Sequence, residues 1–266
     1  MTFEPHPKEF FSPEQAPPRI LNLRDKLAAL AQLEIDRVVV EHFNAAFARL
    51  TPEQFVSEII VKRLNAKWIL IGDDFCYGAK RAGNFASLKA AGAKYGFEVS
   101  SIHTILEDGE RISSSSLRTA LANGDMNQAE KLLGRPYGIS GHVIHGQQLG
   151  RKLGFPTLNL AVANHLHHRK PATTGIFTAQ VLGLADKPLP AVASLGVRPT
   201  VEDEGRVLLE THIFDYQEDV YGKVITVELL EKIRDEAKYY DLDTLTNAIA
   251  ADAKHARNYF QKKAHV

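Results

Sequence analysis

The residues Gly146-Gln-Gln-Leu-Gly150-Arg151-Lys152-Leu-Gly154-Phe155-Pro156-Thr157-Leu158-Asn159-Leu160 concentrate three glycines, two adjacent cations and a Pro-Thr-x-Asn turn between two apolar runs. Glycine lets backbone amides approach an anion closely, and Arg151 or Lys152 can neutralise phosphate charge. A threonine hydroxyl and an asparagine carbonyl two residues apart are hard oxygen ligands of the kind Mg²⁺ accepts. The combination points to a nucleoside triphosphate site. It is not a Walker A loop, which needs four residues between its glycines and then Lys-Ser/Thr. Here three residues separate Gly146 from Gly150, and Arg-Lys-Leu follows.

The run Gly150 to Leu160 resembles the Gly-Arg-x-Leu-Gly-Phe-Pro-Thr-x-Asn-Leu signature of riboflavin kinases. Further segments follow in that family's order: Ser194-Leu-Gly196-Val-Arg198-Pro199-Thr200, Leu209-Glu210-Thr211-His212-Ile213-Phe214, and Tyr221-Gly222. The resemblance covers about 130 residues, from near Gly134 to the C-terminus. It implies phosphorylation of riboflavin to FMN by ATP, with Thr157 and Asn159 holding Mg²⁺ and the ATP phosphates. It implies Glu210 as the base that accepts the ribityl hydroxyl proton. Read from the residues alone, Glu210 is equally an exposed strand position and Pro-Thr-x-Asn a turn with an Asx cap.

For the nucleotide, Gly146, Gly150, Arg151, Lys152, Gly154, Pro156 and Thr157 are the candidates, the glycines forming a flap. Arg198 and Phe155 are candidates for the flavin, although Arg198 is also compatible with a surface turn. His165, His167 and His168 invite a metal reading, but no acidic or thiol ligands accompany them at a helix or strand spacing. A solvated loop is the better reading.

The first half carries a second resemblance. Arg111-Ile-Ser-Ser114-Ser115-Ser-Leu-Arg118 is similar to the Ile-Ser-Ser-Thr-x-x-Arg motif of nucleotidyltransferases, in particular the FMN adenylyltransferase half of bifunctional bacterial FAD synthetases. Ser115 stands where threonine is usual. Hydroxyls and amides at a helix start flanked by arginines can hold an anion, or simply form a serine-rich capping turn. Phe3-Glu-Pro-His6-Pro and Gly72-Asp-Asp74-Phe-Cys-Tyr-Gly78 with Gly83-Asn84-Phe85 resemble the segments that line that family's flavin and adenosine pocket. No His-x-Gly-His, which that family carries before Phe-x-Pro-His-Pro, occurs in these 266 residues. A fragment, a misassigned start and a decayed module all fit, and FAD synthesis is expected to be absent or reduced.

The elements that must position these groups change character midway. Helical spacing at Leu23 to Ala31, Thr51 to Leu64 and Phe85 to Tyr95 alternates with strand-like Arg37 to Glu41, Trp68 to Ile71 and Glu98 to Ile102. Such alternation argues a parallel α/β sheet. The second half predicts strands at Ile139 to His145, Phe177 to Leu182, Ala191 to Leu195, Val207 to Phe214 and Lys223 to Leu230, with no helical crossovers. That pattern suits an antiparallel barrel or sandwich. A closing helix carries Leu242, Leu245, Ile249, Ala253 and Ala256 on one stripe. With the resemblances, the expected fold is an incomplete α/β Rossmann-like nucleotidyltransferase module over 1–124, a connecting helix or linker at 125–136, and an antiparallel β-barrel riboflavin kinase domain with a C-terminal helix over 137–266.

Composition bounds the partners. Lys+Arg and Asp+Glu are 32 each, for zero formal net charge. No global basic field attracts nucleic acid or an anionic membrane, and small-molecule substrates are expected: ATP, Mg²⁺, and riboflavin or FMN. No apolar run reaches the length of a spanning helix, the N-terminus lacks signal-peptide character, and the single Cys76 permits no intrachain disulfide. These features suit a cytoplasmic enzyme. Two other readings remain open at this level: retention of both activities, or a flavin-binding regulator without catalysis.

Overall fold

The computed structural model describes residues 1–72, 74–102, 106–107, 109–146, 150, 153–162, 171–197 and 207–263. By packing, the chain forms two units: Met1–Ala16 with Arg37–Arg111, and Pro17–Asp36 with Ile112–Val266.

In the first unit, strand β1 (Thr2–Glu4) pairs in parallel with β2 (Val40–His42), and β3 (Trp68–Gly72) in parallel with β4 (Glu98–Ile102). β5 (Leu106–Glu107) and β6 (Glu110–Arg111) form a short antiparallel pair. The parallel pairing agrees with the α/β expectation. Helix α1 (Pro7–Phe11) follows β1, and the segment opened by the capping box of Thr51 and Gln54 widens into a π-helical stretch, Phe55–Arg63. Phe55, Val56, Ile59 and Ile60 of that stretch pack with Tyr77, Leu88 and Phe97 as this unit's core.

The second unit is built on a closed six-stranded barrel: β7 (Tyr137–Ile144), β8 (Leu158–Ala161), β9 (Gly175–Leu182), β10 (Leu189–Val197), β11 (Val207–Ile213) and β12 (Val224–Arg234), in the order β10-β11-β8-β7-β12-β9. Every pairing is antiparallel, so the barrel is realised and the sandwich is not. Period-two alternation sends Phe177, Ala179, Val181, Leu195, Leu209, Val227 and Leu229 to the core, all almost fully buried. Five of the six strands are those the sequence predicts, with shifted ends. β8 was read as a turn, because it is short and its second residue is the polar Asn159.

Three helices that precede the barrel in the chain pack into this unit. Helices spanning Ser114–Asn123 and Met126–Leu133 contribute Leu117, Ala120, Leu121, Met126 and Ala129 to the same core as the barrel strands. Helix Leu23–Gln32 docks on β7 through a two-point reading of one residue: Asn22 Nδ2 donates to the Ser140 carbonyl (3.1 Å), and Asp25 accepts from the Ser140 N–H (3.1 Å to Oδ1). β8 reaches β7 only at Val143 and Ile144, so this helix satisfies backbone that β8 is too short to pair. The C-terminal helix, Leu242–Lys263, buries Ala253 and Ala256. Leu242, expected on the same stripe, stands exposed at the helix start.

Burial pushes the Asp25 carboxyl above its usual range, against the lowering effect of its Ser140 hydrogen bonds. A folded-state value above the unfolded one means that the native state binds the proton more tightly, so this contribution to stability is lost as pH rises through the raised value. Asp25→Asn is therefore expected to gain stability relative to wild type as pH rises from about 4 to 7. Urea unfolding of both proteins across that range checks it; parallel curves would show that Asp25 is not the group responsible.

Candidate active site

Strand β11 alternates strictly: Val207, Leu209, Thr211 and Ile213 point into the barrel, while Leu208, Glu210 and His212 lie on the outer face. Glu210 is in register with Asn159 of β8 on one side and Ser194 of β10 on the other. Residues directly opposite across antiparallel strands share a face with Cβ atoms ~5 Å apart. The ladder thus places a carboxylate, a carboxamide and a hydroxyl side by side across three strands, outside the barrel core.

Asn159 is only 4% exposed. Its Oδ1 has no hydrogen-bond partner among the described residues. A buried, unsatisfied amide oxygen costs ~1–3 kcal/mol, a cost removed when a hard cation or a ligand donor meets it. The donor set of Thr157 hydroxyl and Asn159 carbonyl therefore fits Mg²⁺. Among the described residues no cluster of three His, Cys, Asp or Glu side chains competes for a metal.

Two glycines are required by close approach. A Cβ on Gly146 would collide with the Asn159 carboxamide; one on Gly150 would collide with the Phe155 carbonyl and lie 3.3 Å from Thr157 Oγ1. The Gly150 carbonyl accepts from the N–H groups of Leu153 (3.1 Å) and Phe155 (2.8 Å), folding the segment into a tight turn. Gly154 adopts a positive φ of 85°. Pro156 fixes φ just before Thr157, and its carbonyl accepts from His212 Nδ1 (2.8 Å).

Beside this clamp lies a cavity of about 260 Å³. Gly150, Phe155 and Thr157 form one wall, Val192, Ser194, Glu210 and His212 the floor, and Arg234, Glu236, Tyr239, Leu245 and Ile249 the far side. An apolar pocket with a few convergent polar groups suits a planar ring with a polar tail. The far wall is held by a bidentate pair: Arg234 Nε and NH2 donate to Asp252 Oδ1 (2.9 Å) and Oδ2 (2.6 Å), tying the end of β12 to the C-terminal helix. Burial, with the nearby Glu210 charge, holds the Glu236 carboxyl above its usual range.

The structure thus brings together Glu210, Thr157, Asn159, Gly146, Gly150, Phe155 and Pro156. Arg151, Lys152, Arg198, His165, His167 and His168 lie outside the described residues. Sequence reasoning missed His212, Arg234, Glu236, Tyr239 and Asp252. His212 alone carried a signal, being two residues from Glu210 on the same strand face.

The first-half candidates are engaged locally. His6 caps helix α1, its Nδ1 accepting from Lys8 N–H (3.2 Å), and Asn84 caps the helix Phe85–Tyr95, accepting from Ser87 N–H (3.0 Å). Asp74 turns its Oδ1 to 3.0 Å from where a Cβ on Gly72 would sit. Arg111 ends β6 in the first unit. Ser114, Ser115 and Arg118 belong to the second unit, where Ser113 caps the helix and Arg118 donates to the carbonyls of Pro18 (2.8 Å) and Ser114 (3.1 Å).

Gly146→Ala must displace the Asn159 carboxamide. A displacement of ~1 Å costs about 100-fold in a positioned reaction, so Mg²⁺-dependent binding and turnover of nucleotide are expected to fall steeply while the melting midpoint moves little. Calorimetric titration with Mg²⁺–ADP reads the first effect, and unchanged affinity would remove Gly146 from the clamp.

The riboflavin kinase family (Flavokinase) matches residues 133–260, and the FAD synthetase family matches residues 1–116. The bifunctional riboflavin kinase/FMN adenylyltransferase of Escherichia coli K12 is 45% identical over 260 residues, covering 98% of this chain and 82% of that protein. That of Haemophilus influenzae is 40% identical over 260 residues, covering 98% and 83%. A crystal structure described as a macrolide-efflux protein from Streptococcus pneumoniae superposes with a TM-score of 0.70 at 31% identity, over 90% of this chain and 75% of that one. No helix among the described residues is long and apolar enough to cross a membrane. With both halves matched in order and nearly the whole chain aligned, the protein belongs to the family of bifunctional riboflavin kinases/FMN adenylyltransferases.

Proposed function

We propose that the barrel unit phosphorylates riboflavin to FMN with ATP. The observation that carries this reading is the register of Glu210 against Asn159, which sets a carboxylate beside the oxygen donors suited to Mg²⁺. Phosphoryl transfer asks for positioning and charge stabilisation more than covalent help. In this reading the cavity takes the isoalloxazine ring between Phe155 and the Tyr239, Leu245 and Ile249 wall. Glu210 orients the ribityl hydroxyl and takes its proton as the oxygen bonds to the γ-phosphorus and ADP departs. Thr157 and Asn159 would hold Mg²⁺, which when bound neutralises phosphate charge. Gly146, Gly150, Gly154, Arg151 and Lys152 belong to the nucleotide side, and Arg198 to the flavin side. In this reading residues 17–36 and 112–136, which pack with the barrel, serve the kinase module as well.

For the other family activity, adenylylation of FMN to FAD, we infer that its seat is the first half of the chain. The match of residues 1–116 to the FAD synthetase family supports this reading. Supplied with riboflavin, ATP and Mg²⁺, the purified chain is expected to form FMN, and FAD following it would show that both activities are retained; FMN without FAD would overturn the inference.

Glu210→Gln is expected to lower kcat for FMN formation by about 10²–10⁴ with riboflavin affinity retained. Steady-state kinetics with a flavin-binding titration decides it. Full activity in this variant would assign the base elsewhere, and riboflavin binding without turnover in the wild type would favour a regulator.

A further inference from the structure

The β8–β11 ladder runs through four pairs and stops at Leu158 with Thr211. One step further, Thr157 would face His212, but Pro156 has no N–H and the chain turns away toward Gly150. At that step a side chain takes over from the backbone. His212 Nδ1 lies 2.8 Å from the Pro156 carbonyl. Because a carbonyl only accepts, Nδ1 must carry the hydrogen. The ring is braced edge-on by Phe155 (centroids 5.6 Å apart, 80°) and Phe214 (5.7 Å, 73°). The peptide that bears Thr157 is thus held by the proline ring on one side and by the imidazole on the other.

Glu210 and His212 share one outer face of one strand. Any movement of β11 therefore carries the proposed base and the support of the proposed metal turn together. We propose that His212 is a positioning residue of the kinase reaction. Its imidazole extends the β8–β11 pairing past Pro156 and fixes the peptide that bears Thr157, whose hydroxyl would with Asn159 hold Mg²⁺. The proposal rests on the kinase reading above, and it assigns the Nδ1–H of His212 to the nucleotide–metal side of the site, while the ring also lines the neighbouring cavity.

Three substitutions in the full chain test it. In asparagine, Nδ2 occupies the place of histidine Nδ1, so His212→Asn keeps the donor. His212→Gln puts its amide at the Nε2 position, and His212→Phe keeps the aromatic packing while removing the donor. His212→Phe and His212→Gln are expected to raise the Mg²⁺ concentration for half-maximal rate and the KM for ATP about tenfold, the size of one lost neutral hydrogen bond. The KM for riboflavin, whose cavity the ring also lines, should rise by a smaller factor than the KM for ATP, and His212→Asn should recover most of the loss. Calorimetry adds a readout apart from turnover: Mg²⁺-dependent binding of ADP should weaken about tenfold in the Phe and Gln variants, with metal-free ADP binding unchanged. The proposal is overturned if the Phe variant keeps wild-type Mg²⁺ dependence, if Gln restores function as well as Asn, or if the riboflavin KM rises by the same factor. Should the Phe variant not fold, the Asn and Gln pair carries the same comparison. A wild-type chain that forms no FMN would instead sink the kinase reading itself.

Discussion

The site depends on the register of four residue pairs between β8 and β11. A slip of one residue would reverse every side chain on β8, turning Asn159 inward and Leu160 out. That slip is resisted by the apolar partners on the inner face, Leu160 and Leu209, both fully buried in the barrel. Barrel closure reinforces the constraint, because β8 and β11 each have a second neighbour, β7 and β10, whose own registers must also match. Hydrophobic burial inside the barrel therefore determines polar geometry outside it. The carboxylate and the amide oxygen are held in place by residues that never touch a ligand.

Around that face the structure tolerates polar groups only where it can constrain them. Asn159 Oδ1 is buried without a partner among the described residues, an arrangement stabilised elsewhere by the core beneath it and suited to a ligand that completes it. Asp252, also buried, is matched by both guanidinium donors of Arg234. Removing either partner of such a pair leaves a buried charge uncompensated, so the pair ties the C-terminal helix to the barrel in one orientation. Arg257 adds a second tie, donating to Asp215 and lying over the Phe214 ring. The helix thereby supplies the far wall of the cavity.

The two halves of the chain differ in how far local signals carried. In the barrel, alternation along β9 to β12 was legible because each strand buries one face and period-two patterning records that directly. β8 was not, since a four-residue strand with a polar residue facing the site looks like a turn when its partners are unknown. In the first half, capping signals were legible as well, at Thr51 and in the Ser113 to Ser116 run. The choice between cap and anion site was not, because both use the same residues. In the structure Ser113 caps the Ser114–Asn123 helix through the Ser116 N–H, and Arg118 donates to the Pro18 carbonyl 100 positions away in sequence.

By itself, the sequence determined which groups are available: the glycines and oxygen donors of Gly146 through Asn159, proposed above to meet a metal-bound nucleotide, Glu210 on an alternating strand, and a change from α/β to all-β character partway along. Those features are local, and local spacing carries them. Tertiary structure alone decided that Asn159, Glu210 and Ser194 stand abreast, that Arg234 and Asp252 close the cavity, and that residues 17–36 fold onto the barrel. It also decided that His212 reaches the carbonyl of Pro156, 56 positions earlier. These are pairings between distant segments, set by barrel closure and burial, and no spacing within one segment encodes which partner a side chain will meet.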